Sequence, residues 1–253
     1  GSLNGEFNLD GFKISNATFD SIKESGLPPL ETPFTAKLIE LSPNIQNLTG
    51  KAIKDKRGGT NNIHSWDLEL KGKLNTTQKE IMSILLRERR KKQWAEIKGI
   101  VWMDGMSLTL GEIHSFYNFM DIKELKAELD DLVEKRYLRF EHPKDLVEVN
   151  GIKKREYATH LEKGYNIVTG KLSFELNKVL GDKSIAPTIV ATEADRIGVI
   201  DGSHIRRISE RECLRFFGFP DTYVSNISHK NLYDLIGNTV VVPVIKKVVE
   251  RII

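Results

Sequence analysis

The stretch RRISERECLRFFGFPDTY, residues 206–223, packs two adjacent arginines, the only cysteine of the chain and a Gly-Phe-Pro turn into eighteen positions. Ser209 followed three residues later by Glu212 is the signature of a capping box, so a helix begins there and stops at Gly218, before Pro220. Cys213 follows Glu212 inside this amphipathic helix and reads as a small buried packing residue; the rival reading is a catalytic thiol in a basic pocket. Arg206 and Arg207 fall at a strand-to-helix junction, where guanidinium forks either brace loops through carbonyl and carboxylate contacts or grip phosphates.

Upstream of this stretch the texture is that of β-structure. YNIVTGKLSFEL (165–176), APTIVAT (186–192) and RIGVIDG (196–202) cluster β-branched residues between Gly, Asp and Pro breaks and are expected to form strands of a small twisted sheet. Downstream, NTVVVPVIKKVVERII (238–253) is too apolar for an exposed tail and is expected to pack on a further surface. Gly237-Asn238-Thr239 is expected at a helix start, where backbone N–H groups can meet a polar ligand.

The middle of the chain is helical. QKEIMSILLRERRKKQWAEIKG (78–99) carries Ile81, Ile84, Leu85 and Trp94 at helical spacing; Thr76 or Thr77 is the expected N-cap and Gly99 ends the run. SLTLGEIHSFYN (107–118) is a second, short helix. DIKELKAELDDLVEKRYLRFEH (121–142) is a third, with Leu125, Leu129, Leu132 and Val133 inward and a strand starting near Tyr137. Helix, short helix, helix, strand is the outline of a winged helix. Residues 143–163 read as a polar loop. Residues 1–50 read as a lead-in of loops and short elements, since Pro28, Pro29, Pro33 and Pro43 confine any helix to short pieces. The opening Gly1-Ser2 reads as the scar of a cleaved tag.

With 253 residues, of which 40% are hydrophobic, the chain can bury a core of one large domain or two modest ones. No run of about 18 uninterrupted apolar residues is present to span a bilayer, no secretory signal is recognisable, and a cytoplasmic location is expected. One cysteine and six scattered histidines without zinc-ligand spacing argue against a structural metal. A formal net charge of +3 permits a nucleic-acid partner without demanding one.

Four segments, in this order, resemble the cytosine-5 DNA methyltransferase family: APTIVAT (186–192), IRRISERECLRFFGFPDTY (205–223), LIGNTV (235–240) and VVPVIKKV (241–248). The resemblance implies that the second closes a target-recognition domain. The third then returns to a Rossmann-like cofactor domain and lines the S-adenosylmethionine pocket, with Asn238 and Thr239 as cofactor contacts. Where the family usually has glutamine two residues before the glycine of that motif, this chain has Leu235. The implied fold is α+β: a small twisted-sheet target-recognition domain with a winged-helix-like insert, then a C-terminal helical segment that packs on the cofactor domain. The expected partition is 1–50 lead-in, 51–205 target-recognition domain with residues 76–142 inserted, and 206–253 C-terminal motifs.

The family also implies a cysteine nucleophile in a Pro-Cys-Gln motif, a glutamate in Glu-Asn-Val and a glycine motif opening the cofactor site. None of the three occurs in these 253 residues, where no Gly-x-Gly is found either. The chain is therefore expected to be the recognition half of a methyltransferase of the bacterial restriction-modification type. It would be inactive alone, would act on double-stranded DNA, and would need an N-terminal catalytic domain or subunit.

Candidate base and phosphate contacts are Lys54, Lys56, Arg57, Asn61, Asn62 and His64 in the loop GKAIKDKRGGTNNIHSW, together with Lys171, Lys183 and Arg196 near later turns, and Arg206 and Arg207. The alternative for the loop is a plain solvated surface. Residues 121–136 carry four Lys/Arg against six Asp/Glu, which argues against the third helix as a groove reader, whereas residues 79–98 carry seven against three. The insert is thus expected to be a scaffold whose basic stretch at most touches phosphate. The rival functions are a non-catalytic winged-helix DNA-binding regulator and an enzyme working through Cys213.

Overall fold

The computed structural model describes residues 17–56, 59, 61–101, 104–169, 174–191 and 193–252. The chain divides into two compact units, one made of residues 1–52 and 174–253, the other of residues 53–173. The architecture is mixed α+β with small sheets.

In the first unit, two helices precede the sheet, α1 (Phe19–Ile22) and α2 (Pro33–Leu41). Helix α2 is opened by Pro33 at its first turn, and a capping box between Thr32 and Thr35 satisfies amides that the first turn leaves without helical partners. A 3-10 turn (Ile45–Leu48) leads to strand β1 (Ala52–Ile53), whose Ala52 pairs antiparallel with Lys178. Strand β7 (Lys178–Leu180) runs parallel to β8 (Ile197–Asp201), which pairs antiparallel with β9 (His204–Arg207) through a turn at Gly202. Helices α7 (Glu210–Phe216), α8 (His229–Gly237) and α9 (Val242–Ile252) follow. The core gathers Phe19 and Ile22 from α1, Ile197 and Val199 from β8, Cys213, Leu214 and Phe216 from α7, and Leu232 and Ile236 from α8.

Two expectations change here. Segment 186–190 forms no strand; Pro187 has no amide to donate to a ladder, and Ile185 makes only an isolated bridge to Thr18. Gly237, Asn238 and Thr239 close α8 rather than open a helix: the amides of Asn238 and Thr239 donate to the carbonyls of Leu235 and Ile236. The capping box of Ser209 and Glu212 forms as read, and Gly218 takes the left-handed conformation (φ +78°) just past α7.

In the second unit, strand β2 (Asn62–Ile63) precedes α3 (Thr76–Glu88), α4 (Gln93–Lys98), α5 (Leu110–Phe116) and α6 (Ile122–Glu134). Strands β3 (Leu138–Glu141), β4 (Lys144–Val149), β5 (Ile152–Tyr157) and β6 (Gly164–Ile167) complete it. The core is built on Leu125, Leu129 and Leu132, one face of α6, packed with Ile81, Met82, Leu85, Trp94, Leu108, Tyr137 and Tyr165.

The single helix expected over 78–99 is two. Asn75, not Thr76 or Thr77, is the cap of α3, its Oδ1 accepting the Gln78 amide at 2.7 Å. At the other end, the Glu88 carbonyl accepts the Trp94 indole N–H at 2.9 Å and the Arg89 carbonyl accepts the Met106 amide at 2.8 Å. These tertiary donors take the acceptors that a continuing helix would use, so the chain turns before α4. Residues 143–163, read as a polar loop, contain the antiparallel hairpin β4–β5. Its two-residue turn, Asn150 (φ +53°) and Gly151 (φ +75°), has the left-handed geometry that matches strand twist.

Strand β3 pairs with β6 from Leu138↔Ile167 to Glu141↔Gly164, and Leu108 bridges Tyr165. A Cβ at Gly164 would lie 2.3 Å from the Leu108 carbonyl group, which is backbone and cannot rotate away. Gly164→Ala is therefore expected to cost on the order of 3 kcal/mol, read as a lowered denaturant midpoint. An unchanged midpoint would mean that Leu108 and β6 do not lie this close.

Candidate functional site

The stretch 206–223 is organised by Arg206. Its side chain is 1% exposed and that of Glu212 is 0% exposed, and the two form a two-pronged pair, Nη1 to Oε2 at 2.9 Å and Nη2 to Oε1 at 2.7 Å. Nε reaches Asp201 Oδ2 at 2.8 Å, and the remaining Nη contacts go to the carbonyls of Arg207 and Glu24. Glu212 in turn accepts the amides of Ser209 and Glu24. Burial opposes the charge on Arg206, but the bonds to Glu212 and Asp201 outweigh it and hold the guanidinium above its ordinary value. For Asp201, burial works to raise the carboxyl, and Arg206 and Lys23 outweigh it, leaving it below the usual carboxylate range.

The other arginines of the stretch also hold backbone. Arg207 Nη1 donates to the carbonyls of Glu175 (2.9 Å) and Asp195 (2.7 Å), and Arg211 Nη2 to that of Tyr223 (3.0 Å). Arg215 binds both carboxylate oxygens of Asp221 and the Ile22 carbonyl. Of the two roles open to Arg206 and Arg207, bracing describes the contacts seen; Arg207 remains exposed.

The four motif segments meet in pairs within this unit. A Cβ on Gly237 would stand 2.2 Å from the Ala191 nitrogen, and one on Gly218 would stand 2.4 Å from Pro243 Cδ. The Val242 amide donates to the Phe217 carbonyl at 2.8 Å. Cys213 is fully buried, and burial pushes its thiol well up, so it presents no thiolate. The Asn238 side chain is exposed and donates to the Asp234 carbonyl, while Thr239 is half-buried. With both backbone amides closing α8, these two residues do not by themselves form a cradle for a cofactor.

The remaining candidates are dispersed. Lys54, Lys56 and Asn61 are exposed in the second unit and Asn62 is half-buried. His64 is buried: its ring stacks on Trp66 at 4.3 Å and its Nδ1 lies 2.6 Å from the Lys54 carbonyl, so it shapes the loop. Arg57 and Lys171 lie outside the described residues. Arg196 is half-buried in the 3-10 turn Ala194–Arg196 of the first unit, and Lys183 pairs with Asp20. The basic stretch 87–92 is largely engaged: Arg89 is buried against Asn166, Arg90 pairs with Asp104, and Lys91 with Glu88. Burial lowers the Arg89 guanidinium to about 10. Lys153, Lys154 and Arg155 on β5 are exposed and lie in the stretch read as a polar loop, where Asn-Gly inside VEVNGIKKREY (147–157) is the hairpin signal. Among the described residues no cluster of ligating side chains could hold a metal ion, and no helix is long and apolar enough to cross a membrane.

Two outcomes follow from the buried network. Arg206→Ala leaves Glu212 as a buried charge without its partner and is expected to cost about 3–5 kcal/mol, measured by urea denaturation; a loss under about 1 kcal/mol would be that of a surface pair. Cys213 is expected to resist a thiol reagent in the folded protein and to react once it is denatured; rapid labelling in native buffer would contradict its burial.

Comparison with known proteins gives a consistent answer. The family model for C-5 cytosine-specific DNA methylase matches residues 4–253. The chain is 47% identical over its full length to Type II methyltransferase M.NlaIV of Neisseria lactamica and 46% identical over its full length to Type II methyltransferase M.NgoBV of Neisseria gonorrhoeae. It is 35% identical over 82% of its length to Type II methyltransferase M.BanI of Aneurinibacillus aneurinilyticus, of which it covers 42%. The chain spans 58% of each of the two Neisseria proteins. The converging motif segments and this match lead to one conclusion: the chain belongs to the C-5 cytosine-specific DNA methylase family.

Proposed function

We propose that this chain is the C-terminal, DNA-recognising portion of a Type II cytosine-5 DNA methyltransferase, without the nucleophile and the main cofactor site. The observation that carries this is the location of the only cysteine. Methylation at cytosine C5 needs a thiolate that adds to C6 of a base taken out of the duplex. Cys213 is instead a 0%-exposed member of the core between α1, α7 and α8. The partial coverage of the Neisseria relatives supports the same reading, because more than a third of their length has no counterpart here.

On this reading the target-recognition domain expected over 51–205 includes the second unit, whose order of α3, α4, Leu108, α5, α6, β3, the hairpin and β6 fits a winged helix with α4 added after its first helix. Helix α6 serves as scaffold: its Lys126 pairs with Asp130, Lys135 pairs with Asp131, and the helix keeps an acidic excess that would repel phosphate. Lys54, Lys56 and Asn61, exposed on one loop, are the proposed contacts nearest the base edges. In the first unit, Arg206 acts by positioning, holding β9, α7 and residue Glu24 together.

S-adenosylmethionine supplies the methyl group in the complete enzyme. Asn238 and Thr239 would form one wall of its site, the rest lying in the catalytic portion. Helix α9 and the residues before it supply a docking surface for that portion: Val240, Val244, Ile245 and Val249 are exposed, an apolar set that a water-facing helix does not need.

The test is methyl transfer from labelled S-adenosylmethionine to duplex DNA, by the chain alone and mixed with the N-terminal portion of a relative such as M.NlaIV. No transfer is expected from the chain alone. Transfer by the isolated chain would overturn the proposal, as would unreduced sequence preference of the mixture after Asn61→Ala for the assignment of that loop.

A further inference from the structure

Many cations of the second unit are engaged within it. In the basic stretch at the end of α3, Arg89 is buried and Arg90 and Lys91 are in ion pairs. On α6, Lys126 and Lys135 are paired within their own helix. Lys71 and Lys98 are engaged as well, by the Arg136 carbonyl and by Glu112. Other cations, such as Lys54, Lys56, Arg87 and Lys123, are exposed without a side-chain partner singly or in loops and helices, but strand β5 places three in a row: Lys153, Lys154 and Arg155 are consecutive and all exposed, and no hydrogen bond or ion pair joins any of their side chains to another described residue.

The strand that carries them is itself unusual. All six residues of β5 are exposed, and β4 and β5 form a two-stranded sheet of their own. An isolated two-stranded ribbon is marginal in water, so this one gains from a surface that covers it. Its form is nonetheless set: six register pairs run from Lys144↔Tyr157 to Val149↔Ile152, closed by the left-handed turn at Asn150 and Gly151. The register puts Arg155 opposite Leu146 and Lys153 opposite Glu148, one face, with Lys154 opposite Val147 on the other.

The hairpin carries four cations, Lys144, Lys153, Lys154 and Arg155, against three acids, Asp145, Glu148 and Glu156, and none of these acids forms an ion pair with residues 153–155. Asp145 is occupied by the amides of Val101 and Leu146. Glu148 faces Lys153 in the register, yet the two form no ion pair. Lys144, at the base, lies over the Tyr157 ring at 4.8 Å and lines a small crevice with Arg155, extending the basic strip toward Asp104 and Gly105. A preformed ribbon bearing three adjacent unpartnered cations is complementary to a regular polyanion.

We propose that the β4–β5 hairpin is a phosphate-contacting ribbon for duplex DNA, with Lys153, Lys154 and Arg155 as its contacts. The proposal rests on the reading of this chain as the DNA-recognising portion of the enzyme, and assigns the backbone grip to a different element from the loop at Lys54–Asn61. Contacts of this kind carry affinity and register but no sequence information.

The experiment measures binding of the 253-residue chain to a mixed-sequence duplex oligonucleotide across a salt series. The triple variant Lys153→Gln, Lys154→Gln, Arg155→Gln is expected to flatten the slope of log K against log salt by about 2.7, at ~0.9 for each phosphate no longer neutralised. Its relative affinity for different duplex sequences stays unchanged. The charge-keeping variant Lys153→Arg, Lys154→Arg, Arg155→Lys restores the slope, and Lys123→Ala with Lys126→Ala on α6 leaves it untouched. An unaltered slope in the glutamine variant overturns the hairpin assignment while the recognition reading stands. Failure of the charge-keeping variant to restore the slope overturns it too, since the effect would then be one of structure. Absence of salt-dependent binding by the unsubstituted chain removes the recognition reading and the hairpin with it.

Discussion

The buried pair of Arg206 and Glu212 is the contact around which the first unit is organised. Two ions at 1% and 0% exposure have given up their water, and in a low-dielectric site that loss is tolerable only when every donor and acceptor finds a partner. Here they do. The guanidinium meets Glu212, Asp201 and two carbonyls, and the carboxylate also takes the amides of Ser209 and Glu24. One interaction therefore sets the first turn of α7, the end of the β8–β9 hairpin and the course of the chain beyond α1. A pair of this type specifies geometry more than it adds stability, because a wrong arrangement would strand a charge.

Close approaches of backbone set the rest. Gly237 lies against Ala191, which brings the end of segment 186–191 onto the end of α8, and Gly218 lies against Pro243, which brings the Gly-Phe-Pro turn onto the start of α9. In the second unit Gly164 lets β6 meet the Leu108 carbonyl group. In each case the glycine is required by what stands opposite, and the partner is distant in sequence. That arrangement explains how short motifs separated by many residues can act as a single structural unit.

Much of the local structure was legible in the sequence. The capping box at Ser209, the apolar spacing of Leu125, Leu129 and Leu132, the strand after Tyr137 and the packing role of Cys213 are all decided by neighbours within a turn or two. The misreadings share a cause. The helix over 78–99 breaks because Trp94 and Met106 capture carbonyls at its middle. Segment 186–190 has the composition of a strand, but Pro187 has no amide to give a ladder and the pairing stops at an isolated bridge of Ile185 to Thr18. The hairpin of residues 144–157 was hidden by its charge, since a strand exposed on both faces lacks the alternation by which strands are recognised.

By itself the sequence determined the family, through motifs whose spacing is written in the chain, and the helices whose apolar faces repeat every three or four residues. It also determined that a single cysteine is available. Only the tertiary structure decided which charges have partners: Arg206 and Arg89 are buried within the fold, while Lys153, Lys154 and Arg155 are left outside. Charge is a property of composition, but pairing depends on distances between residues far apart along the chain, and at a few ångströms those distances decide whether a cation is held within the fold or left at the surface.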